Sequence, residues 1–295
     1  MKTAARDLPR PAFAAADFAE LVKARLSFLT LATAMAGFAL GVDGPWSYLL
    51  LSAAMAGTAL SAAGAAALNQ WWERGYDALM KRTRSRPLPA GRMASSDALL
   101  IGVVLSVCGV ACLALFVNGL SAALAAATIF FYIFVYTPLK RITPFNTIVG
   151  AVPGALPPLI GWTAARGSIN AEGLTLFAIL FLWQMPHFLA IAWLYRGDYA
   201  QAGFRMLSEG DEDGLVTGRQ AVIYALALLA VSLLPSVFFG YSAVYFYGAL
   251  VLGGGFVALA GRFACSGGSV PAARALFLGS IAYLPLLLGL MVLAR

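Results

Sequence analysis

The chain has 295 residues, of which 61% are hydrophobic and 11% are charged, and its formal net charge at pH 7 is +7. Soluble globular domains are typically about 45–50% apolar and about 25% charged, so this composition excludes an ordinary soluble domain. It predicts a membrane protein that crosses the bilayer several times. A basic excess can indicate a nucleic-acid partner, but the placement of the Lys and Arg residues argues against one here.

Windows of about 20 apolar residues, the length that crosses a bilayer core, predict nine membrane spans. In chain order they cover residues 24–42, 47–69, 97–117, 119–138, 146–165, 172–195, 220–240, 243–262 and 273–293. We therefore expect an all-α membrane protein with nine transmembrane helices. The chain divides into a cytoplasmic N-terminal segment, residues 1–23, and one nine-helix membrane domain, residues 24–295.

The basic residues predict the orientation of these spans. With the N-terminus in the cytoplasm, eighteen of the twenty Lys and Arg residues fall on the cytoplasmic side, and only Arg166 and Arg295 fall outside. Because cytoplasmic loops carry an excess of Lys and Arg, we predict a cytoplasmic N-terminus and an external C-terminus. The long polar connections 71–96 and 196–220 then face the cytoplasm. We expect the protein in the inner membrane of the cell, in contact with its lipids and without a nucleic-acid partner.

The segment after the second span, residues 69–88, reads N-Q-W-W-E-R-G-Y-D-A-L-M-K-R-T-R-S-R-P-L. Asn69, Glu73 and Asp77 are spaced i, i+4, i+8, which places their oxygens along one face of a helix. Carboxylate and amide oxygens suit Mg²⁺, which reaches a protein through one or two carboxylates plus substrate phosphates. These residues are a candidate catalytic metal site. The alternative is a solvated helix end, against which stands the free-energy cost of ionisable groups near hydrocarbon.

Two other loops carry candidates for the same site. The stretch R-G-D-Y-A-Q-A-G-F-R-M-L, residues 196–207, contains Asp198, which is either a further metal-binding carboxylate from across the bundle or part of a solvated helix end. The stretch Y-T-P-L-K-R-I-T, residues 136–143, supplies cations that either clamp a phosphate or only anchor the loop. The candidate ligands of diphosphate oxygens are Lys81, Arg82, Arg86, Lys140 and Arg141.

The single histidine of the chain, His187, lies within the sixth span in the stretch W-Q-M-P-H-F-L-A. A lone histidine inside a membrane span is often an internal hydrogen-bonding residue. Here Pro186 precedes it and Trp183 and Gln184 lie on nearby turns, so it is also a candidate ligand of a metal centre or a donor to a bound carboxylate. Both interpretations remain open from the sequence.

Taken together, the motifs resemble those of the UbiA-type intramembrane prenyltransferases. The resemblance covers about residues 20–210 and rests on four stretches. They are N-Q-W-W-E-R-G-Y-D followed by K-R-T-R-S-R-P-L, then Y-T-P-L-K-R-I-T, then W-Q-M-P-H-F-L-A, and finally D-Y-A-Q-A-G-F-R-M-L. Within this family, the chain is most similar to members that act on haem.

The resemblance implies a bundle of nine helices around a central cavity. It also implies Mg²⁺-dependent binding of farnesyl diphosphate and transfer of the farnesyl group to a vinyl group of haem b, giving haem O, with His187 as a candidate on the haem side. The first acidic motif falls on Asn69, Glu73 and Asp77, and the second on Asp198. Many relatives carry another acidic residue four positions later, where this chain has Ala202, which argues against a second metal ion held by that loop.

Two alternatives remain at this point. The first keeps the chemistry and changes the acceptor to an aromatic compound such as 4-hydroxybenzoate, or to a chlorin. The second is a secondary transporter, but transporters place ionisable residues near the membrane midplane on broken helices, whereas these acidic residues cluster in loops beside arginines. If the acceptor is haem, a downstream haem-modifying enzyme or a terminal oxidase assembly is a candidate partner of the protein.

Overall fold

The computed structural model describes residues 14–294, and within that range the regular structure is entirely helical. A π-helical segment, Phe131–Tyr136, lies between α5 and α6. In chain order the α-helices are α1 (Ala15–Leu21), α2 (Ala24–Gly41), α3 (Tyr48–Asp77), α4 (Ser95–Phe116), α5 (Gly119–Phe130), α6 (Thr137–Leu139), α7 (Asn146–Arg166), α8 (Ala171–Leu194), α9 (Arg196–Gln201), α10 (Leu215–Phe238), α11 (Ala243–Ala264) and α12 (Val270–Leu293).

The prediction of nine spans is confirmed for the described residues. Nine helical stretches there are long and apolar enough to cross a membrane, the fourth of them running from Gly119 to Leu139 through the π-helical segment. The largest departure is α3, which continues to Asp77 instead of ending near residue 69. Residues 1–13 of the predicted N-terminal segment, and Arg295, lie outside the described residues.

Helix α7 is the centre of the bundle, because it packs against α2, α3, α5 and α8. Of its most apolar stretch 67% is buried, the highest share among the nine spans described. Glycine allows its close contact with α2: a Cβ added to Gly161 would overlap the backbone carbonyl of Ala34, and one added to Gly37 would overlap that of Pro158. Small residues permit such close approach of helices in lipid.

The N-terminal helix α1 is attached to the end of α3 and does not stand apart. Gln70 Nε2 donates to the backbone carbonyls of Glu20 at 2.7 Å and Leu21 at 2.9 Å. The guanidinium of Arg92, from the loop after α3, forms ion pairs with Asp17 and Glu20. Helix α2 therefore begins from a fixed point beside α3.

The loops after α3, α6 and α9 meet at one end of the bundle. Met80, Ala202 and Phe204 form a buried apolar cluster across two of them. The backbone amide of Arg205 donates to the carbonyl of Lys140 at 2.7 Å, which ties in the third loop. The three stretches singled out in the sequence are therefore brought together.

The interior between α2, α3, α5 and α7 contains a cavity of about 20 Å³, lined among others by Thr58, Ala125 and Pro157. Ligand pockets usually measure about 300–1,000 Å³, so this cavity must widen before it holds a ligand. A larger cleft of about 320 Å³ lies outside the bundle, between α9 and the loop that follows it.

Candidate active site

Three polar side chains of α3 are buried on one helix face at the loop end of the bundle. Asn69, Glu73 and Asp77 are only 1%, 4% and 1% exposed. The predicted i, i+4, i+8 face is thus present, because α3 continues without interruption through all three positions. A solvated helix end would leave these groups exposed, so that alternative does not fit the structure.

Each of the three side chains accepts a hydrogen bond from a cation. A buried carboxylate needs such a partner, because an unpaired buried charge is strongly destabilising. The pairs are Lys23 Nζ with Asn69 Oδ1 at 2.8 Å, Lys140 Nζ with Glu73 Oε1 at 2.7 Å, and Arg86 Nη1 with Asp77 Oδ2 at 2.7 Å.

The amide of Asn69 is held in one orientation by the π-helical segment and α6. Its Nδ2 donates to Thr137 Oγ1 at 3.1 Å, while its Oδ1 accepts from Tyr132 Oη at 3.2 Å and from Lys23. Thr137 Oγ1 donates in turn to the carbonyl of Tyr132 at 2.7 Å. The amide oxygen therefore points towards the Lys23 ammonium, the orientation in which it could also bind a metal ion. Single π-helical turns are frequent at functional sites.

The second oxygen of the Asp77 carboxylate fits a metal ligand. Asp77 Oδ1 is buried and has no hydrogen-bond partner among the described residues, while Oδ2 is paired with Arg86. Buried polar atoms in native proteins nearly always have a partner, so an unpaired carboxylate oxygen points to a ligand. Together with Glu73 and the Asn69 amide, it offers the few oxygen ligands with which Mg²⁺ binds proteins.

Lys23 is a site residue that the sequence analysis did not identify. It has φ 48° and ψ 51°, and it is the sole non-glycine residue with positive φ in the described part of the chain. Strained backbone of this kind clusters at functional sites. Burial, together with the nearby charges of Arg86 and Lys140, lowers the pKa of the Lys23 ammonium to about 7.

The pKa of Lys140 is shifted in the opposite direction to that of Lys23. Burial alone disfavours its charged form, but contact with the Glu73 carboxylate outweighs burial and raises the pKa of Lys140 above its ordinary value. Its ammonium also lies over the Tyr136 ring, 4.6 Å from the centroid. Lys140 is therefore a fixed cation at the edge of the site.

Arg82 and Asp198 meet each other and do not join the α3 face. The backbone amide of Arg82 donates to Asp198 Oδ2 at 3.4 Å, and the Arg82 guanidinium lies over the rings of Tyr195 and Tyr199. Within residues 14–294 no three His, Cys, Asp or Glu side chains come together as a ligand set. The structure therefore places Asp198 among the loops at this end of the bundle, which we call the loop layer, but not in contact with Glu73 or Asp77.

The two remaining predicted cations also lie in this loop layer. Arg141 donates to Tyr76 Oη at 2.7 Å, and its guanidinium lies 4.6 Å from the centre of that ring. Lys81 is exposed on the turn that follows α3. Of the five predicted diphosphate ligands, only Arg86 and Lys140 contact the buried α3 face directly.

His187 lies within the bundle, between α8 and α12. Its Nδ1 is 2.7 Å from the hydroxyl of Ser280. The imidazole is stacked on Trp183 and packs against Phe277, each with ring centroids 5.1 Å apart. It contacts none of the residues of the α3 face, so it belongs to a separate region.

Comparison with known proteins identifies relatives of this chain. A family model described as the UbiA prenyltransferase family matches residues 30–281. A protoheme IX farnesyltransferase of Solibacter usitatus is 50% identical over 234 residues, which are 79% of this chain and 80% of the relative. The protoheme IX farnesyltransferase of Koribacter versatilis is 44% identical over 299 residues, which are 98% of this chain and 96% of that protein.

Solved structures of more distant proteins share the fold. A structure described for digeranylgeranylglyceryl phosphate synthase has a TM-score of 0.79 at 15% identity and covers 95% of this chain and 97% of its own. A UbiA homologue from Archaeoglobus fulgidus bound to GPP and Mg²⁺ has a TM-score of 0.68 at 14% identity, with 95% and 100% covered. The family match, the relatives and the shared fold agree with the nine apolar helices of the described residues: this chain is a multi-pass membrane protein that belongs to the UbiA prenyltransferase family.

Proposed function

We propose that this protein transfers the farnesyl group of farnesyl diphosphate to a vinyl group of haem b, giving haem O. The observation that carries the proposal is the 41–50% identity of relatives named protoheme IX farnesyltransferase, two of which align over nearly the whole chain. An aromatic or chlorin acceptor has no comparable support, and membership of a prenyltransferase family argues against a transporter.

The charge of the buried cluster supports a diphosphate and one divalent ion as its ligands. Three cations, Lys23, Arg86 and Lys140, face two carboxylates, Glu73 and Asp77, so the cluster carries one net positive charge when Lys23 is protonated. A trianionic diphosphate together with one Mg²⁺ carries one net negative charge. The charge of the cluster therefore cancels the charge of the diphosphate with its Mg²⁺, whereas a diphosphate without the metal ion would leave an excess of negative charge.

The residues of the α3 face would divide this work. Asn69, Glu73 and Asp77 would hold Mg²⁺ through their oxygens, with Asp77 Oδ1 free to accept it. Arg86 and Lys140 would stay beside the carboxylates and bind diphosphate oxygens through their remaining N–H donors. Asp198 would face the metal ion from the opposite loop, as the sequence predicts, and Arg82, Arg141 and Lys81 would face the diphosphate oxygens. When bound, Mg²⁺ supplies Lewis-acid stabilisation of the charge that develops on the leaving diphosphate.

Fixed cations facing the departing diphosphate favour ionisation of the allylic ester, because they stabilise charge that grows in the transition state. The farnesyl cation is captured by the electron-rich haem vinyl, and water adds to the resulting cation with loss of a proton. Haem b therefore gains a farnesyl group and a hydroxyl group, and diphosphate leaves. Burial of the C15 chain at about 0.8 kcal/mol per carbon favours binding within the membrane.

We further propose an inner-membrane protein with a cytoplasmic N-terminus, an external C-terminus and the three site loops in the cytoplasm. The distribution of Lys and Arg supports this orientation. It exposes the site to water-soluble Mg²⁺ while the prenyl chain and haem remain in the membrane, from which a haem-modifying enzyme or oxidase assembly would take the product.

One assay tests the proposal. The purified protein is incubated with haem b, farnesyl diphosphate and Mg²⁺, and products are analysed by mass spectrometry. We expect a haem that is heavier by one farnesyl group and one hydroxyl group, and its formation should stop when EDTA removes the metal. Farnesylation of 4-hydroxybenzoate instead of haem in the same assay would overturn the assigned acceptor.

A further inference from the structure

Two helices of the second half of the bundle are joined through a single serine, Ser280 of α12. Trp183 Nε1 donates to the backbone carbonyl of Ser280 at 2.7 Å, and His187 Nδ1 lies 2.7 Å from its hydroxyl. Trp183 and His187 are spaced i, i+4 on α8, so both lie on the face that meets α12. Ser280 itself is fully buried.

The hydrogen of the Ser280 hydroxyl is already committed. Ser280 Oγ donates to the backbone carbonyl of Phe277 at 2.6 Å, and a carbonyl oxygen can only accept. Since a hydroxyl has one hydrogen, Ser280 Oγ must accept from His187 in the contact between them. His187 therefore carries its proton on Nδ1, an assignment that follows from counting donors and acceptors.

This tautomer leaves the lone pair on the other ring nitrogen. Nε2 of His187 makes no hydrogen bond within the described residues, and it is not among the polar atoms there that are sealed from their surroundings without a partner. The imidazole packs against Trp183 and Phe277, and turning the ring over within that plane would break the hydrogen bond of Nδ1 to Ser280. Nε2 is consequently directed away from Ser280 with its lone pair available.

The same arrangement is what a metal-binding imidazole requires. A ligating histidine binds through the neutral nitrogen and donates its other N–H to an acceptor, which fixes the tautomer and raises the basicity of the ligand. Here the acceptor is a hydroxyl that is itself polarised by donation to a carbonyl.

We infer that His187 Nε2 ligates the iron of haem b and that Ser280 is the positioning residue that fixes the ligating tautomer. The inference rests on the proposed function only for the identity of the iron-bearing substrate. It places the acceptor on the side of His187 that faces away from Ser280, apart from the diphosphate site on α3. In this assignment the bond to iron would hold the porphyrin in one orientation for the transfer.

The test is a titration of the full-length protein in detergent with ferric haem b, followed by its Soret band and its electron paramagnetic resonance spectrum. The first variant is His187→Asn, whose amide can still donate to Ser280 but which lacks an atom at the Nε2 position. We expect it to lose the axial imidazole signature of the wild type while farnesyl diphosphate affinity stays within about twofold, because the α3 site is separate.

Ser280→Ala is the second variant, and Ser232→Ala is its matched control. Both serines are fully buried, but Ser232 is hydrogen-bonded to Tyr283 and does not meet His187. Loss of an outer-shell partner typically weakens metal binding about 10–100-fold, so Ser280→Ala should weaken haem binding about tenfold or more. Ser232→Ala should keep wild-type haem affinity, and thermal melts report whether each variant is folded.

A wild-type spectrum and affinity in folded His187→Asn would overturn the inference, as would unchanged haem binding in folded Ser280→Ala. The proposed function fails separately. If the wild type makes no farnesylated haem but His187→Asn still abolishes an imidazole signature, the iron site stands and the reaction does not. If product forms and the wild-type spectrum carries no imidazole signature, the reaction stands and the iron site does not.

Discussion

Lys23 Nζ and Asn69 Oδ1 lie 2.8 Å apart, although 46 positions separate the two residues in the chain. The contact links the start of the first span to the end of the second, and it places an ammonium where a metal ion would meet the amide oxygen. The Lys23 ammonium thus holds the Asn69 amide oxygen in a position to bind a metal ion. Under the proposed function, a metal ion bound to Asn69 Oδ1 would displace the ammonium, which would then be available to a diphosphate.

Lys23 is accordingly predicted to be required for use of the diphosphate substrate. Lys23→Gly removes the ammonium and keeps the left-handed backbone without strain, because glycine adopts positive φ readily. We expect the KM for farnesyl diphosphate to rise about tenfold, which corresponds to the loss of one charge-assisted hydrogen bond. Steady-state kinetics measure this. An unchanged KM would remove Lys23 from the site.

The carboxylates of α3 are predicted to be essential. Asp77→Asn and Glu73→Gln should each lower kcat by about 100-fold or more, the usual effect of removing one group that stabilises charge in the transition state. Product formation is measured across a Mg²⁺ series. Glu212→Gln, an exposed change on a neighbouring loop, should keep wild-type activity. Near-normal turnover at limiting Mg²⁺ in either site variant would exclude that carboxylate as a metal ligand.

Arg82 is predicted to act on the diphosphate and not on haem. Arg82→Ala should raise the KM for farnesyl diphosphate about tenfold by removing one charged hydrogen-bond donor. Arg74→Ala is the matched control, because Arg74 also lies over an aromatic ring, that of Trp71, but outside the three loops. Weakened haem affinity with an unchanged KM for the diphosphate would assign Arg82 to the haem propionates.

The sequence predicted the spans and the polar face of α3 because both are local patterns of spacing. It did not predict that Lys23, Tyr132 and Thr137 complete the site, since each meets Asn69 from another helix. A lysine directly before an apolar span is typical of a topology signal, so the sequence alone gives no reason to expect that Lys23 also contacts Asn69. Nor does spacing reveal that Arg86, nine positions after Asp77, reaches back to pair with it.

Close packing between α2 and α7 gives a prediction about stability. Gly161→Ala would push a methyl group into the backbone of Ala34, which cannot move as a side chain can. Such overpacking typically costs about 1–3 kcal/mol, so the melting temperature in detergent should fall. Gly254→Ala on α11 meets no other atom within 4 Å and should not lower it. Equal melting temperatures for the two variants would contradict the close contact.

The start of α10 gives a prediction about pH. Asp211 accepts hydrogen bonds from the Thr217 hydroxyl at 2.6 Å and amide at 2.8 Å. Burial alone would raise the pKa of Asp211, but these bonds lower it below its ordinary value of 3.8. A lowered folded-state pKa stabilises the fold above the unfolded value, and this stabilisation is lost as pH falls through the folded value.

Asp211→Ala should therefore lower stability by about 1 kcal/mol at neutral pH, because it removes the acceptor of two amides in the first turn of α10, an effect similar in size to the loss of a capping side chain. The difference from the wild type should begin to shrink below about pH 4, the ordinary pKa range of Asp, and disappear as the pH falls through the lower folded-state pKa of Asp211. Thermal melts across a pH series measure both effects. Glu212→Gln, next in the chain and exposed, should show neither. A difference that stays constant with pH would contradict the assigned role.

The 30 residues of α3 make it about 45 Å long, whereas the hydrocarbon core of a bilayer is about 30 Å thick. The membrane span and the candidate metal ligands are therefore parts of one continuous helix, and the length of this helix sets how far the ligands lie from the hydrocarbon core. One residue inserted between Gly64 and Asn69 would turn all three ligands by about 100°, whereas seven inserted residues would keep their direction and lift them about 10 Å from the bilayer. In the proposed site, the same helix would therefore supply the metal ligands and set their height above the lipid.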